Sequence, residues 1–381
     1  MNRNVRLLIL VSWLFGYASG AYEVLFPLYL DWVGVSFRDI GIIFSLSAAT
    51  IAGLNVVIGS QSDARGRKAF YSVSLALCSA VNFFVPFFRK LWETLALSVG
   101  QSASASIRGS VHNVILYEHT RKAFLSAYSR VNGMEYFSQA IGLLGAGLIL
   151  AASSFQSAFW VSAAVLAGAF CIFAFGFREE GGAGREPAED GAQRDGGAYL
   201  PRELKIFAAS GFVMAIGSGL SHGFITPLFF VKKFGADQAT VSIILTLHRL
   251  SFGVPMIFAD KVLAYLRRFR RKAILIALML YQGVSISFCA FIPDIILATI
   301  VFVSHDLLAA AFWIPVLSVL IQGFCREGRR GADSNKVGSF GSIGGIGAPF
   351  LAGVLASMGI GYPFLASGLF YVAAALILLP I

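Results

Sequence analysis

The sequence predicts an all-α membrane protein of twelve transmembrane helices. They form two similar six-helix halves, residues 1–177 and 205–381, joined by a linker over 178–204. Three observations carry this. First, 57% of the 381 residues are apolar and 13% charged, with a mean hydropathy of +0.75, whereas a soluble domain carries about 25% charged residues. Second, apolar runs of about 20 residues, each long enough to cross a bilayer as a helix, begin near residues 6, 40, 69, 93, 124, 156, 205, 238, 273, 295, 336 and 361. They lack the alternation of barrel strands, and backbone groups in lipid must pair internally, so the runs are helices. Third, residues 178–205 hold seven acidic and five basic residues, six Gly and two Pro, with no apolar periodicity. Such a composition buries no core and reads as a flexible linker.

In chain order, the first run follows Arg3 and Arg6 and ends in Leu-Phe-Pro27-Leu-Tyr-Leu30. Its small residues at 18–21 mimic a signal-peptide cleavage site, but the run continues to Leu30 and has a counterpart in the second half, so it is read as uncleaved. Runs two and three flank a short basic turn. Run four carries Arg108 and His112, and run five carries Arg130, Glu135 and the small-residue pattern Gly142-x-x-Gly145-x-Gly147. Run six has no ionisable group. Run seven repeats the first, with Gly217, Ser218 and Gly219 ahead of Ile-Thr-Pro227-Leu-Phe-Phe230, and contains His222. Run eight contains His248 and Arg249. Run nine, again without ionisable groups, follows the basic stretch 267–272, a degenerate partner of the turn after run two. Run ten carries His305 and Asp306, run eleven the pattern Gly341-x-x-Gly344-Gly345-x-Gly347-Ala-Pro349, and run twelve none. Pro27 and Pro227 share an offset of 200 residues with matching surroundings. Small residues at such spacings let helices pack closely.

The net charge of +10 does not indicate a nucleic-acid partner. Placing the loops alternately on two sides puts 22 of the 30 Lys and Arg on the side of residue 1 and five on the other, with Arg108, Arg130 and Arg249 inside runs. The basic excess is a topology signal, and it orients both termini to the cytoplasm. Cys78, Cys171, Cys289 and Cys325 have no paired spacing and are read as small core residues.

The turn after run two reads Gly59-Ser-Gln-Ser-Asp63-Ala-Arg65-Gly66-Arg67-Lys68. It closes residues 40–62 and opens 69–88. Both glycines are expected to turn the chain, Asp63 to face a neighbouring helix N-terminus, and the basic residues to hold the turn on the cytoplasmic side. The pattern resembles the loop signature of the major facilitator superfamily of secondary transporters, with Gln61 and Ser62 in place of small apolar residues. The two similar halves extend the resemblance over the whole chain. It implies two pseudo-symmetric bundles around a midplane cavity, alternating access by rocking of the halves, and inverted three-helix repeats within each. It further implies that helices 1, 4, 7 and 10 line the cavity while 3, 6, 9 and 12 face lipid, and that Asp63 ties span 2 to span 11.

Ionisable groups within spans cost about 2.5–3.5 kcal/mol each and usually face a partner or a cavity. Glu23, Arg108, His112, His222, His305 and Asp306 fall on spans 1, 4, 7 and 10. Arg130, Glu135, His248 and Arg249 fall on spans 5 and 8. The six fully charged groups would together cost on the order of 18 kcal/mol unpaired, above the ~5–15 kcal/mol stability of a typical domain, so they are expected to pair. Arg108 and His112 share a face of span 4. Arg249 is expected to pair with Asp306 or Glu23. His248 and Arg249 point about 100° apart, so that one of them faces the pore. Arg130, near the end of its span, either snorkels or braces the adjoining loop.

The first-rank candidates for cavity and proton coupling are therefore Glu23, Arg108, His222, Arg249, His305 and Asp306; His112, Arg130, Glu135 and His248 follow. Glu23 lies beside an expected helix break at Pro27. Gly219-Leu-Ser221-His-Gly223 fits Gly-x-Ser-x-Gly, but within a helix it lacks the strand-turn-helix setting of a nucleophile elbow. No nucleotide-binding loop, His-Glu-x-x-His or paired-Cys metal site occurs, so neither a cofactor nor a metal is expected. The resemblance implies a secondary transporter of a small solute, a plasma-membrane monomer in a lipid bilayer, and the acids and histidines of the spans point to protons as its driver. The Gly-rich fifth span is similar to that of the family's antiporters without its Gly-Pro pair. Import and export thus both stay open, with a lean to efflux of small amphipathic compounds. Transport of an organic anion, a lipid flippase and a membrane sensor are the alternatives.

Overall fold

The computed structural model describes residues 3–120, 124–178, 200–258, 262, 270–326 and 330–381; side chains at 55–65, 113, 117, 118, 124–130, 257, 315, 322, 330–332, 334 and 335 lie outside the description. The first half comprises α1 (Arg3–Trp32), α2 (Phe37–Arg65), α3 (Arg67–Phe84), α4 (Leu91–Thr120), α5 (Phe124–Ala152) and α6 (Phe155–Gly176). The second comprises α7 (Arg202–Ser221) with its continuation α8 (Ile225–Phe234), α9 (Gln238–Ile257), α10 (Arg271–Cys289), α11 (Ile295–His305) with its continuation α12 (Ala311–Phe324), α13 (Arg330–Met358) and α14 (Tyr362–Ile377). Among the described residues these trace twelve crossings, ten of them long and apolar enough to span a bilayer on those criteria alone. The other two are the more polar α4 and the 16-residue α14.

Four helices that begin on the side away from the termini start at an oxygen-bearing cap: Ser36 accepts from Asp39 N, Ser154 from Ser157 N, Asp237 from Thr240 N at 2.7 Å and Asp294 from Leu297 N at 2.8 Å. Each satisfies a helix N–H that would otherwise lack a partner at the membrane surface. The Thr240 amide holds the Asp237 carboxyl below the usual carboxylate range.

The structure corrects several sequence expectations. The basic turn is a single residue, Gly66 at φ +93°, because α2 continues to Arg65 and α3 starts at Arg67. Gly59 is helical, so one glycine of the two turns the chain; the side chains of Asp63 and Arg65 lie outside the description. Of the stretch 267–272, residues 267–269 lie outside the described residues, and α10 begins at Arg271. α7 starts at Arg202, inside the linker expected over 178–204. Pro27 sits within an unbroken α1, whereas span 7 breaks between Ser221 and Ile225, where Gly223 adopts φ +72°. Span 10 is interrupted by a π-turn over Asp306–Ala310. Cys171 is exposed on α6 instead of buried. Exposed large apolar side chains are not confined to spans 3, 6, 9 and 12, since Leu46, Phe137, Leu247 and Ile300 on spans 2, 5, 8 and 10 are also exposed. In each case one face of the helix turns outward while the other packs inward.

Packing repeats between the halves. α1 lies against α5 and α6, and α7 lies against α13 and α14. The glycines explain the intimacy of these contacts. A Cβ on Gly16 or Gly20 would collide with the Glu135 or Gln139 carbonyl, and one on Gly142 with that of Tyr17. In the second half Gly344 meets the Phe212 carbonyl and Gly219 meets Ala348. Bare backbone at these points is what permits van der Waals contact along the helices, the principal attraction available between apolar helices in lipid.

The halves touch each other through α2 with α13 and α5 with α9. These contacts lie at the span ends remote from the termini. Gly41 abuts Pro349, Gly353 abuts Phe37, Gly147 abuts Ser242, and Asp31 pairs with Lys232 at 2.7 Å. One apolar cluster runs through this end of both halves. A second, built from Leu8, Tyr71, Leu116 and Phe173 among others, is confined to the terminus-side end of the first half. The bundles are closed against each other on the side away from the termini.

Candidate functional site

With a helix rise of about 1.5 Å per residue, Glu23, Arg249 and His305 all fall roughly 13–16 Å from the ends of α1, α9 and α11 on the closed side. This is near the middle of a hydrocarbon layer about 30 Å thick. The structure sorts the candidate residues into three groups, the first nearer the terminus side and the other two at this depth.

The first group lies wholly within the first half. Arg108 of α4 grips Glu135 of α5 with two hydrogen bonds, Nη1 to Oε1 at 3.0 Å and Nη2 to Oε2 at 2.5 Å. Its Nη2 also donates to Ser12 Oγ at 3.2 Å, its Nε to the Tyr71 hydroxyl at 3.3 Å, and its guanidinium lies 3.8 Å from the centroid of the Phe15 ring. Four helices therefore converge on one guanidinium. His112, a turn further on, places Nδ1 3.1 Å from the same Tyr71 hydroxyl. A planar fork so fully engaged acts as a clamp. Sequence reasoning marked Arg108, His112 and Glu135 without pairing them, and missed Ser12, Phe15 and Tyr71. These are ordinary polar and aromatic residues without local pattern. Arg130 lies outside the described side chains.

The second group joins the halves. Arg249 Nη2 of α9 donates to Glu23 Oε2 of α1. Asp306, the other expected partner, is engaged elsewhere. The pair is partly open, with side-chain exposures of 21% and 36% for Arg249 and Glu23. Among the described residues it is the ion pair within the spans that connects one bundle to the other.

The third group lies within the second half. His222 follows the last residue of α7, His248 lies on α9, His305 ends α11 and Asp306 opens the π-turn. One nitrogen from each of the three histidines lies within 4.8 Å of the other two. Asp306 reaches toward two of them, Oδ2 to His248 Nε2 at 2.9 Å and Oδ1 to His305 Nε2 at 3.3 Å. Neither contact has hydrogen-bond geometry, and neither ring nitrogen of the fully buried His305 has a hydrogen-bond partner. His222 Nδ1 is satisfied by the Ser218 carbonyl at 3.1 Å and Ser221 Oγ at 3.0 Å. Three ligand-type side chains from three spans meet in space with no sequence spacing to announce them. His248 and Arg249, adjacent in sequence, serve two different groups, His248 within the second half and Arg249 between the halves.

Ser221 closes α7 and is fully buried, and its Oγ accepts from Ser367 Oγ at 2.8 Å. The Gly-x-Ser-x-Gly pattern straddles a helix break instead of lying in a continuous helix, and still has no strand leading into it, so the geometry of a nucleophile elbow is missing.

A groove of about 410 Å³ opens between α2 and α4, lined by Ile51, Ala105, Ser106, Gly109 and Ser110.

The family model described as Major Facilitator Superfamily matches residues 8–208. No curated protein sequence matches the chain. Among solved structures, a mutant of the nucleoside transporter NupG superimposes with a TM-score of 0.79 at 14% identity, covering 99% of this chain and 98% of that one. A bacterial homologue of the iron transporter ferroportin, in an inward-facing state, gives 0.77 at 15%, covering 99% and 98%. A bacterial homologue of the human lysosomal transporter Spinster gives 0.78 at 14%, covering 98% and 95%.

Proposed function

The chain belongs to the major facilitator superfamily, and from that premise we propose that it moves a small solute by alternating access, coupled to protons through Glu23. The observation that carries this reading is the Glu23–Arg249 pair, an ion pair at mid-depth that spans the two bundles. While the side remote from the termini is closed, Arg249 pairs with Glu23. Rocking of residues 1–177 against 205–381 to open that side draws α1 from α9 and strips the carboxylate of its partner. An unpaired charge in an apolar setting is costly, so Glu23 then takes a proton from that side. Closure returns Arg249, and the proton leaves toward the other. One proton moving down about 100 mV and one pH unit releases roughly 3.7 kcal/mol, enough for about 500-fold accumulation of a neutral solute.

Glu23→Gln tests the coupling. In proteoliposomes the substitution is expected to abolish transport driven by a pH gradient while preserving exchange of solute between two sides at equal concentration. Full gradient-driven transport by Glu23→Gln would remove Glu23 from the mechanism.

The basic residues support an orientation with both termini in the cytoplasm, which makes the closed side the extracellular one. A cysteine introduced at Ser154 is expected to react with an impermeant maleimide on intact cells, and one at Gly191 to remain unlabelled. The reverse pattern would invert the topology.

Nucleoside and iron, the cargoes in the names of two fold neighbours, differ too much in charge to select a solute class. A free organic anion is disfavoured because Arg108 and Arg249 each already face a carboxylate of the protein. Export of small amphipathic compounds remains the leaning from the Gly-rich fifth span.

A further inference from the structure

We infer that His222, His248 and His305, backed by Asp306, form a binding site for a divalent transition-metal ion of the zinc or ferrous class. The inference rests on the transporter reading above, and under it the ion, in place of a small amphipathic compound, is the cargo. The grouping brings imidazoles from three spans of the second half into one basin at mid-depth, with ligand-type nitrogens mutually within 4.8 Å. Tetrahedral zinc with Zn–N bonds of about 2.0–2.1 Å needs ligand nitrogens roughly 3.3 Å apart, so ring rotations of about an ångström complete the site.

The chemistry of the donors points the same way. Buried polar atoms are nearly always hydrogen-bonded, yet both nitrogens of His305 and Nε2 of His248 are without hydrogen-bond partners inside the protein. Asp306 stands within 2.9 and 3.3 Å of these rings but off their hydrogen-bonding directions. A dication supplies what the nitrogens lack and meets the charge of Asp306, which can ligate or orient a ligating ring. Two backbone irregularities of the second half serve this spot. The break after Ser221 frees His222 from the helix, and the π-turn begins at Asp306; such interruptions cluster at functional sites. Imidazole donors select zinc, iron, copper or nickel over magnesium and calcium, which prefer oxygen cages.

The test uses the purified full chain in detergent, dialysed against Zn²⁺, Co²⁺ or Mg²⁺ and measured for bound metal. One Zn²⁺ or Co²⁺ per chain is expected, with the visible bands of nitrogen-ligated, low-coordinate Co²⁺, and no retention of Mg²⁺. His305→Gln should weaken binding by at least about 100-fold, and Asp306→Asn by about 10–100-fold with the stoichiometry unchanged. The Co²⁺ spectrum reports on the unmodified protein, so the test survives a variant that does not fold. No bound metal, or octahedral oxygen-type Co²⁺ bands, overturns the site and leaves the transporter reading standing. Binding without movement of Zn²⁺ in proteoliposomes overturns the assignment of the ion as cargo.

Discussion

Replacing Arg108 by methionine is expected to destabilise the protein by about 3–5 kcal/mol, the usual consequence of breaking a buried ion pair from one side. The reason lies in what remains. Glu135, with a side chain only 14% exposed, would keep a charge whose strongest partner is gone. Ser12 Oγ and the Tyr71 hydroxyl would lose a shared donor. Substituting Glu135 as well, by leucine, removes the stranded charge, and the double variant should recover most of the loss. The coupling is measured by thermal unfolding of the four proteins in one detergent. Additive losses would mean that the pair is not a unit. An Arg108→Met protein that unfolds like the parent yet binds no solute would turn the clamp into a substrate contact.

The sequence made some of this visible and hid the rest. The spans carrying ionisable groups could be identified because charge in lipid is expensive wherever it occurs, so its presence on spans 1, 4, 5, 7, 8 and 10 had to have a purpose. Partnership could not be read in the same way. Arg108 and Glu135 are 27 residues apart on neighbouring helices, and for Arg249 the sequence offered two acids at one depth. The His222, His248 and His305 grouping has no spacing signature because each member comes from a different span. The same holds for Arg326, whose Nε and Nη2 bind Asp333 at 2.9 and 2.6 Å between α12 and α13.

The prolines are the sharper lesson. Pro27 and Pro227 occupy matching places, yet only the seventh span breaks. With the 200-residue offset, Gly223 corresponds to Glu23. Glycine accepts a positive φ that a glutamate resists, and past the break Pro227 sits in the first turn of α8, where its missing N–H costs no hydrogen bond. In α1 no residue offers that release, so the helix runs through Pro27.

Reversing one charge of the bridging pair should have the largest effect on transport. Glu23→Arg sets two guanidiniums against each other at mid-depth. At about 4 Å and an effective dielectric of 20, the repulsion is about 4 kcal/mol, roughly a 1,000-fold shift away from the state closed on the side remote from the termini. Transport by this variant should fall to background, and the Asp31–Lys232 contact at the membrane surface is too exposed to compensate. The swapped protein, Glu23→Arg with Arg249→Glu, restores an attraction across the same interface and should regain closure and solute exchange. It relocates the carboxylate from α1 to α9, beside His248, so under the proposed coupling gradient-driven transport should return with an altered pH profile. Crosslinking between cysteines at Asp31 and Lys232 reads closure directly, because the two side chains meet between α1 and α8 on the closed side. If the swap crosslinks no better than Glu23→Arg alone, the two residues act separately and the pair is not the latch between the bundles.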